Sequence, residues 1–298
     1  MREGAEGTPS VSAAAAADAG AATSPSPILE APALKQCCAQ FYASDLATWL
    51  LGESFHPGGL ELTATLGQQL ALTPRDRVLD VAAGRGASAH LLAERFGCEV
   101  TGIDYGEGSV HAANAEAASR GLAKRVRFHR ADAETLPFTD GEFDALICEC
   151  AFCTFPDKPR AAQEFARVLR GGGRLGLTDL TSVRPQPPAL AGLVGWIACV
   201  ADARSVEEYV DLLEAAGFTM KTVQAQDAAL EELIQTVTGR LLAAEILAAR
   251  KQLHLPGIDF AAAHALLKTG ADAVAHRNLG YVMVVATKRN DALSHRST

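Results

Sequence analysis

Long apolar runs are missing from this chain. None approaches the ~18 consecutive apolar residues of a membrane-spanning helix, so no membrane partner is expected. A basic excess is missing too: 27 Lys and Arg stand against 35 Asp and Glu, for a formal charge of −8. Nucleic acids and anionic membranes reward clustered positive charge, so neither is expected as the main partner. A disulfide framework is also missing, because the seven cysteines are odd in number and irregularly spaced. Reduced thiols in a cytoplasmic setting are expected instead. The chain shows no internal repeat, no Ser/His/Asp triad and no P-loop signature.

What is present allows a sizeable core. The 298 residues are 48% hydrophobic, enough for one large domain or one domain with appendages. Residues 1–32 form an Ala/Ser/Pro/Gly stretch without the basic start and apolar core of a secretory signal, and are expected to be a disordered tail. A helical lid is expected over 33–72, a ligand-binding core over 73–181, substrate-side helices with final strands over 182–290, and a tail over 291–298.

The pattern predicts a helix from about Ala33 to Gly52 and a second over 59–72. Strands and helices then alternate: strands at 77–82, 99–104, 126–132, 143–150 and 174–180, with helices at 86–97, 108–122 and 158–170 between them. Gly171, Gly172 and Gly173 read as the stop of the last helix. Short apolar strands between longer helices predict an α/β fold, a doubly wound, mostly parallel sheet of Rossmann type. A helix at 205–216, a strand at 219–227, helical pattern to 278 and a strand at 280–289 follow. Right-handed crossovers place every parallel strand's C-terminal end on one edge, where ligands bind.

Three carboxylates stand at those ends: Asp80 before the turn Gly84-x-Gly86-x-x-Ala89, then Asp104 and Asp132. The glycines alone suit a dinucleotide. The acids decide, because three carboxylates around one crevice repel a pyrophosphate and suit a cationic head with a ribose diol.

Residues 75–180 resemble the class I S-adenosylmethionine-dependent methyltransferases. The matching pieces are VLDVAAGRG, VTGIDYGEGSV, RADAETLPF, FDALICE and ARVLRGGGRL, in order. The resemblance implies S-adenosylmethionine as cofactor, with Gly84 and Gly86 under its methionine portion. It implies Asp104 on the ribose and Asp132 with the Ala133 amide on the adenine edge. Asp80, Ala82, Tyr105 and Glu149 complete the expected cofactor site, and Tyr42 is expected on the methionine carboxylate. Ala82-Ala83 departs from the family's usual glycine and cysteine. The family fold adds a final antiparallel hairpin, expected here as 218–226 against 280–289.

The stretch CECAFCTF at 148–155 holds three of the seven cysteines. If the strand stays extended, Cys148 and Cys150 share a face. The chain is similar here to the arsenite methyltransferase branch: Cys150 is followed in register by Pro156-Asp157-Lys158, and Cys199 by the helix ending Gly217-Phe218. That similarity implies Cys150 and Cys199 as catalytic ligands of trivalent arsenic, with Cys37 or Cys38 as third ligand and glutathione or thioredoxin as reductant. Soft thiolates suit such an acceptor. Cys148 and Cys153 are extra, Cys98 reads as a packing residue, and the helical stretch 227–278 is unlike the branch. His56, in a Pro-Gly turn, is expected to be solvated or to touch substrate, and Trp196 to wall the site. Two alternatives stand beside the arsenic reading: N-, O- or S-methylation of an organic small molecule, and a non-enzymatic thiol-based metalloid or redox sensor.

Overall fold

The computed structural model describes residues 30–52, 54–183, 199–250 and 259–290. Residues 1–29 of the tail expected over 1–32, the tail from 291, and Trp196 lie outside the described residues. Residues 31 and 32 of that expected tail already belong to the first helix, which Pro32 helps to start.

Three helices come first among the described residues: α1 (Ala31–Tyr42), α2 (Asp45–Leu51) and α3 (Gly59–Gln69). The single helix expected up to Gly52 is broken at Ser44, whose hydroxyl accepts the Ala47 amide at 3.1 Å and caps a new start. The alternating region gives β1 (Arg77–Val81), α4 (Ala87–Phe96), β2 (Glu99–Asp104), α5 (Glu107–Ser119), β3 (Val126–Arg130) and β4 (Phe143–Glu149). A single 3-10 turn (Phe152–Thr154) leads to α6 (Lys158–Val168) and β5 (Leu169–Ser182). The last part holds α7 (Val206–Ala215), β6 (Phe218–Ala225), α8 (Asp227–Ala249), α9 (Phe260–Ala275) and β7 (Leu279–Lys288).

The seven strands lie in the order β3-β2-β1-β4-β5-β7-β6. β7 runs antiparallel to both β5 and β6, so the expected final hairpin is present. β5 starts five residues before the expected strand. Its pairing with β4 jumps from Phe143–Leu169 to Ala145–Arg174, which folds the three glycines into an irregular stretch of strand.

Period-two alternation splits the core across the sheet. Val78, Ile147 and Met283 pack on the face carrying α3 and α4, with Leu66 and Leu92. Leu79, Leu146 and Val284 pack on the other face, with Phe165 of α6 and Tyr209 of α7. Both faces being covered is what lets the parallel strands read as nearly continuous apolar runs. No described helix is long and apolar enough to cross a membrane.

Candidate active site

The C-terminal ends of β1, β2 and β4 floor a cavity of about 1150 Å³, open mouth included. Its floor carries Asp80, Ala82, Gly84, Asp104, Tyr105, Asp132, Ala133, Glu149 and Cys150. The roof is one face of α1: Lys35, Cys38, Ala39 and Tyr42, at helical spacing. Gly86 does not line it. A side chain at Gly86, whose φ is +84°, would stand 2.5 Å from the Phe128 ring, so packing under the turn demands that glycine.

The Asp104 carboxylate accepts the amides of Gly84 at 2.9 Å and Gly106 at 2.7 Å. Both oxygens are thereby oriented while keeping lone pairs toward the cavity. Burial pushes its pKa above the usual carboxylate value, against the opposing pull of the two amides. Asp80 is 3% exposed, and its Oδ2 has no hydrogen-bond partner. Burial first, then the charges of Glu149 and Asp104, push Asp80 well above the usual range. An unpartnered buried carboxylate oxygen beside two further acids suits the cationic head of S-adenosylmethionine and repels a phosphate. The residues present therefore fit that cofactor.

Asp132 lies at the expected strand end, but both its oxygens hold Lys35 Nζ, at 2.9 and 2.8 Å. Lys35 also reaches Glu134 at 2.5 Å. The roof is thus fastened to the residue assigned to the adenine edge.

His56 is not solvated. It is 6% exposed, with Nδ1 at 3.1 Å from the Pro57 carbonyl and Nε2 at 3.2 Å from Thr63 Oγ1 and 3.5 Å from Glu149. The Thr63 and Ser88 hydroxyls donate to Glu149 Oε2 at 3.0 and 2.6 Å. A carboxylate, an imidazole and two hydroxyls so form one buried polar group at the cavity wall.

The cysteines divide. β4 ends at Glu149, and Cys150 turns the chain with φ +52°. Cys148 is therefore not on the same side as Cys150: it is fully buried among the α6–α7 face residues, whereas Cys150 packs toward the α3–α4 face. The 3-10 turn returns Cys153 toward Cys199, which also has positive φ, +61°. Cys199 Sγ lies 3.1 Å from Tyr42 Oη and 3.5 Å from the Cys150 carbonyl. Hydrogen bonds from the Cys150 and Cys153 thiols, followed by Tyr42, hold Cys199 well below the usual thiol range despite its burial. Cys150 is pushed up, first by that bond and then by burial. Tyr42, expected on the methionine carboxylate, has its hydroxyl on this thiol.

Cys38 lines the cavity, and burial pushes it up to about 12; Cys37 does not line it. Among the described residues no three His, Cys, Asp or Glu side chains form a metal-ligating group, so the expected third thiol ligand is not assembled. Cys98 is a core residue whose thiol meets the Leu92 carbonyl at 3.4 Å.

Sequence reasoning missed Lys35, Thr63, Ser88 and Asp179. Asp179 is fully buried, accepts the Cys153 amide at 2.8 Å, and is pushed up to about 7 by burial. An aspartate inside the apolar strand RLGLTDL was its available signal, and the helical spacing of Lys35, Cys38 and Tyr42 was that of the roof.

A family model described as a methyltransferase domain matches residues 79–177. Methyltransferase GfsG of Streptomyces halstedii is 33% identical over 165 residues, covering 54% of this chain and 59% of its own. O-methyltransferase cnsE of Penicillium expansum is 32% identical over 191 residues, covering 59% of this chain and 68% of its own. The chain spans only about three fifths of the length of the first curated relatives it matches. The crystal structure of the [4+2]-cyclase SpnF shares the fold at TM-score 0.71 and 24% identity, over 86% of this chain and 96% of that one.

Proposed function

Since the chain belongs to the class I S-adenosylmethionine-dependent methyltransferases, we propose that it methylates a small, soft acceptor held by Cys150 and Cys199, trivalent arsenic being the acceptor to test. One observation carries this reading: the buried Cys199 thiol lies 3.5 Å from the Cys150 carbonyl and 3.1 Å from the Tyr42 hydroxyl, which brings it beside Cys150 at the end of the strand that floors the cofactor cavity.

Bound in the cavity, S-adenosylmethionine supplies a methyl group carried on a positively charged sulfonium. Asp80 and Glu149 would hold its cationic head, Asp104 its ribose and Asp132 its adenine. Asp104 is preset for this by two backbone amides, so little ordering remains to be done on binding. α1 roofs the cavity and brings Tyr42 onto Cys199. The thiols supply soft ligands, and a lone pair on trivalent arsenic needs no proton removed. In this reading residues 33–72 are the lid, 73–181 the cofactor core and 182–290 the acceptor side, working where thiols stay reduced, as in cytoplasm.

A second reading, methylation of an organic hydroxyl, amine or thiol, is favoured by the buried His56–Glu149 pair, which would take the proton such an acceptor loses. The name of the Penicillium relative, an O-methyltransferase, agrees with it.

The deciding experiment screens methyl acceptors with purified protein, arsenite included with and without glutathione, and follows S-adenosylhomocysteine. Arsenite turnover that is lost in Cys150→Ser and in Cys199→Ser, with cofactor affinity kept and Cys98→Ser active, supports the first reading. Turnover only on an organic acceptor moves the assignment to the second. Cofactor binding without turnover on any acceptor returns the thiol-sensor alternative.

A further inference from the structure

The two segments that carry Cys150 and Cys199 come from distant parts of the chain, and a charge pair between a buried lysine and a half-buried aspartate joins them. Lys158 is 2% exposed and its ammonium donates to the Cys153 carbonyl at 2.8 Å, the Phe155 carbonyl at 3.1 Å and Asp202 Oδ2 at 2.5 Å. The first two acceptors lie in the turn that Cys150 opens. The third lies just beyond Cys199. These acceptors are split between both thiol-bearing segments.

Further ties fix each side. The Asp179 carboxylate accepts the Cys153 amide at 2.8 Å, which anchors the first turn to β5. Asp202 Oδ1 takes Arg204 at 2.9 Å, and the Arg204 carbonyl accepts the Ser182 amide at 2.9 Å, which anchors the second segment to the end of the same strand. Lys158 with Asp202 is the cross-tie between them.

We propose that Lys158 and Asp202 form a clamp that sets the separation of Cys150 and Cys199 and thereby selects acceptors that two thiols grip at once. Both are positioning residues, and the inference rests on the thiol-pair reading given above. A buried ion pair is a weak source of net stability, since desolvating the charges offsets their attraction. Its geometry is exacting, however, because these three bonds hold together while both segments stay in place. The clamp therefore holds spacing more than it holds the fold.

The probe is phenylarsine oxide, which condenses with two nearby thiols to form two As–S bonds, the thiol protons leaving with the oxygen as water. The variant is Lys158→Met/Asp202→Leu, which removes both charges together and leaves neither stranded. It is expected to melt near the wild-type temperature and keep its S-adenosylmethionine affinity, yet bind the arsenical about tenfold or more weakly, a 1.4 kcal/mol or larger loss. Asp202→Asn is the milder companion should the double variant fail to fold; it keeps shape and removes the charge that the clamp closes on. Equal arsenical affinity in a folded clamp variant and in wild type overturns the clamp while leaving the thiol pair standing. If wild type binds the arsenical no better than Cys199→Ser, the thiol-pair reading falls and takes the clamp with it.

Discussion

Tyr42 Oη lies 3.1 Å from Cys199 Sγ, joining the cavity roof to a segment 157 residues further along the chain. Tyr42 is half-buried, and its phenol is held neutral, by desolvation first and then by the neighbouring thiols, so it donates to the sulfur. Tyr42→Phe removes that donor and keeps the ring. Hydrogen bonds to charged groups contribute about 1.5–3 kcal/mol, so acceptor-side efficiency should fall on the order of ten- to a hundredfold. The acid limb of the pH–rate curve should move to higher pH, because the Cys199 thiol becomes harder to ionise. S-adenosylmethionine affinity, read by calorimetry, should hardly change.

Asp80 gives a prediction with two signs. An unfolded aspartate titrates near about 3.9, whereas burial and two neighbouring acids hold the folded one well above that. Below the unfolded value both states are protonated and Asp80 costs no stability. Above it the unfolded chain ionises first, so this residue lowers stability as pH rises toward its folded value. Asp80→Asn should therefore melt higher than wild type near neutral pH, with a smaller gain near pH ~4. The same substitution should weaken S-adenosylmethionine binding, because an amide cannot take on the negative charge that a cationic sulfonium nearby would favour. A lower melting temperature at neutral pH would contradict the account.

Asp104→Ala should weaken cofactor binding by about 1.5–3 kcal/mol, and should loosen the turns at Gly84 and Gly106, whose amides the carboxylate now accepts. Calorimetry measures the first effect and hydrogen exchange at those amides the second. Unchanged affinity in a folded variant would place the ribose elsewhere.

Gly86→Ala separates packing from ligand contact. The added carbon would meet the Phe128 ring at 2.5 Å in a left-handed backbone. Overpacking costs about 1–3 kcal/mol, so the melting temperature should drop while the folded fraction keeps its cofactor affinity.

The alternation of strands and helices made the sheet legible, and the strand ends gave Asp80, Asp104 and Asp132 without any tertiary knowledge. Periodicity could not supply the placement of Cys148. That inference assumed an extended chain through Cys150, and a positive φ there turns the two thiols to opposite sides. His56 was misread for a different reason. Its Pro-Gly setting is that of an exposed turn, but Thr63 and Glu149, contributed by α3 and β4, enclose the ring. Lys35 was invisible as a partner of Asp132 because nothing local links α1 to the end of β3.

Cys150 and Cys199 both sit at φ values, +52° and +61°, that glycine adopts freely. For an L residue this left-handed region costs roughly 1–2 kcal/mol, so at each position the backbone favours a residue without a side chain while the sequence places a sulfur there. Glycine should consequently be tolerated better than alanine: Cys150→Gly should melt no lower than Cys150→Ala, though both lack the thiol. Drift toward a more stable chain would thus erode the acceptor side first, leaving a sound fold around a cofactor cavity with nothing opposite it to receive a methyl group.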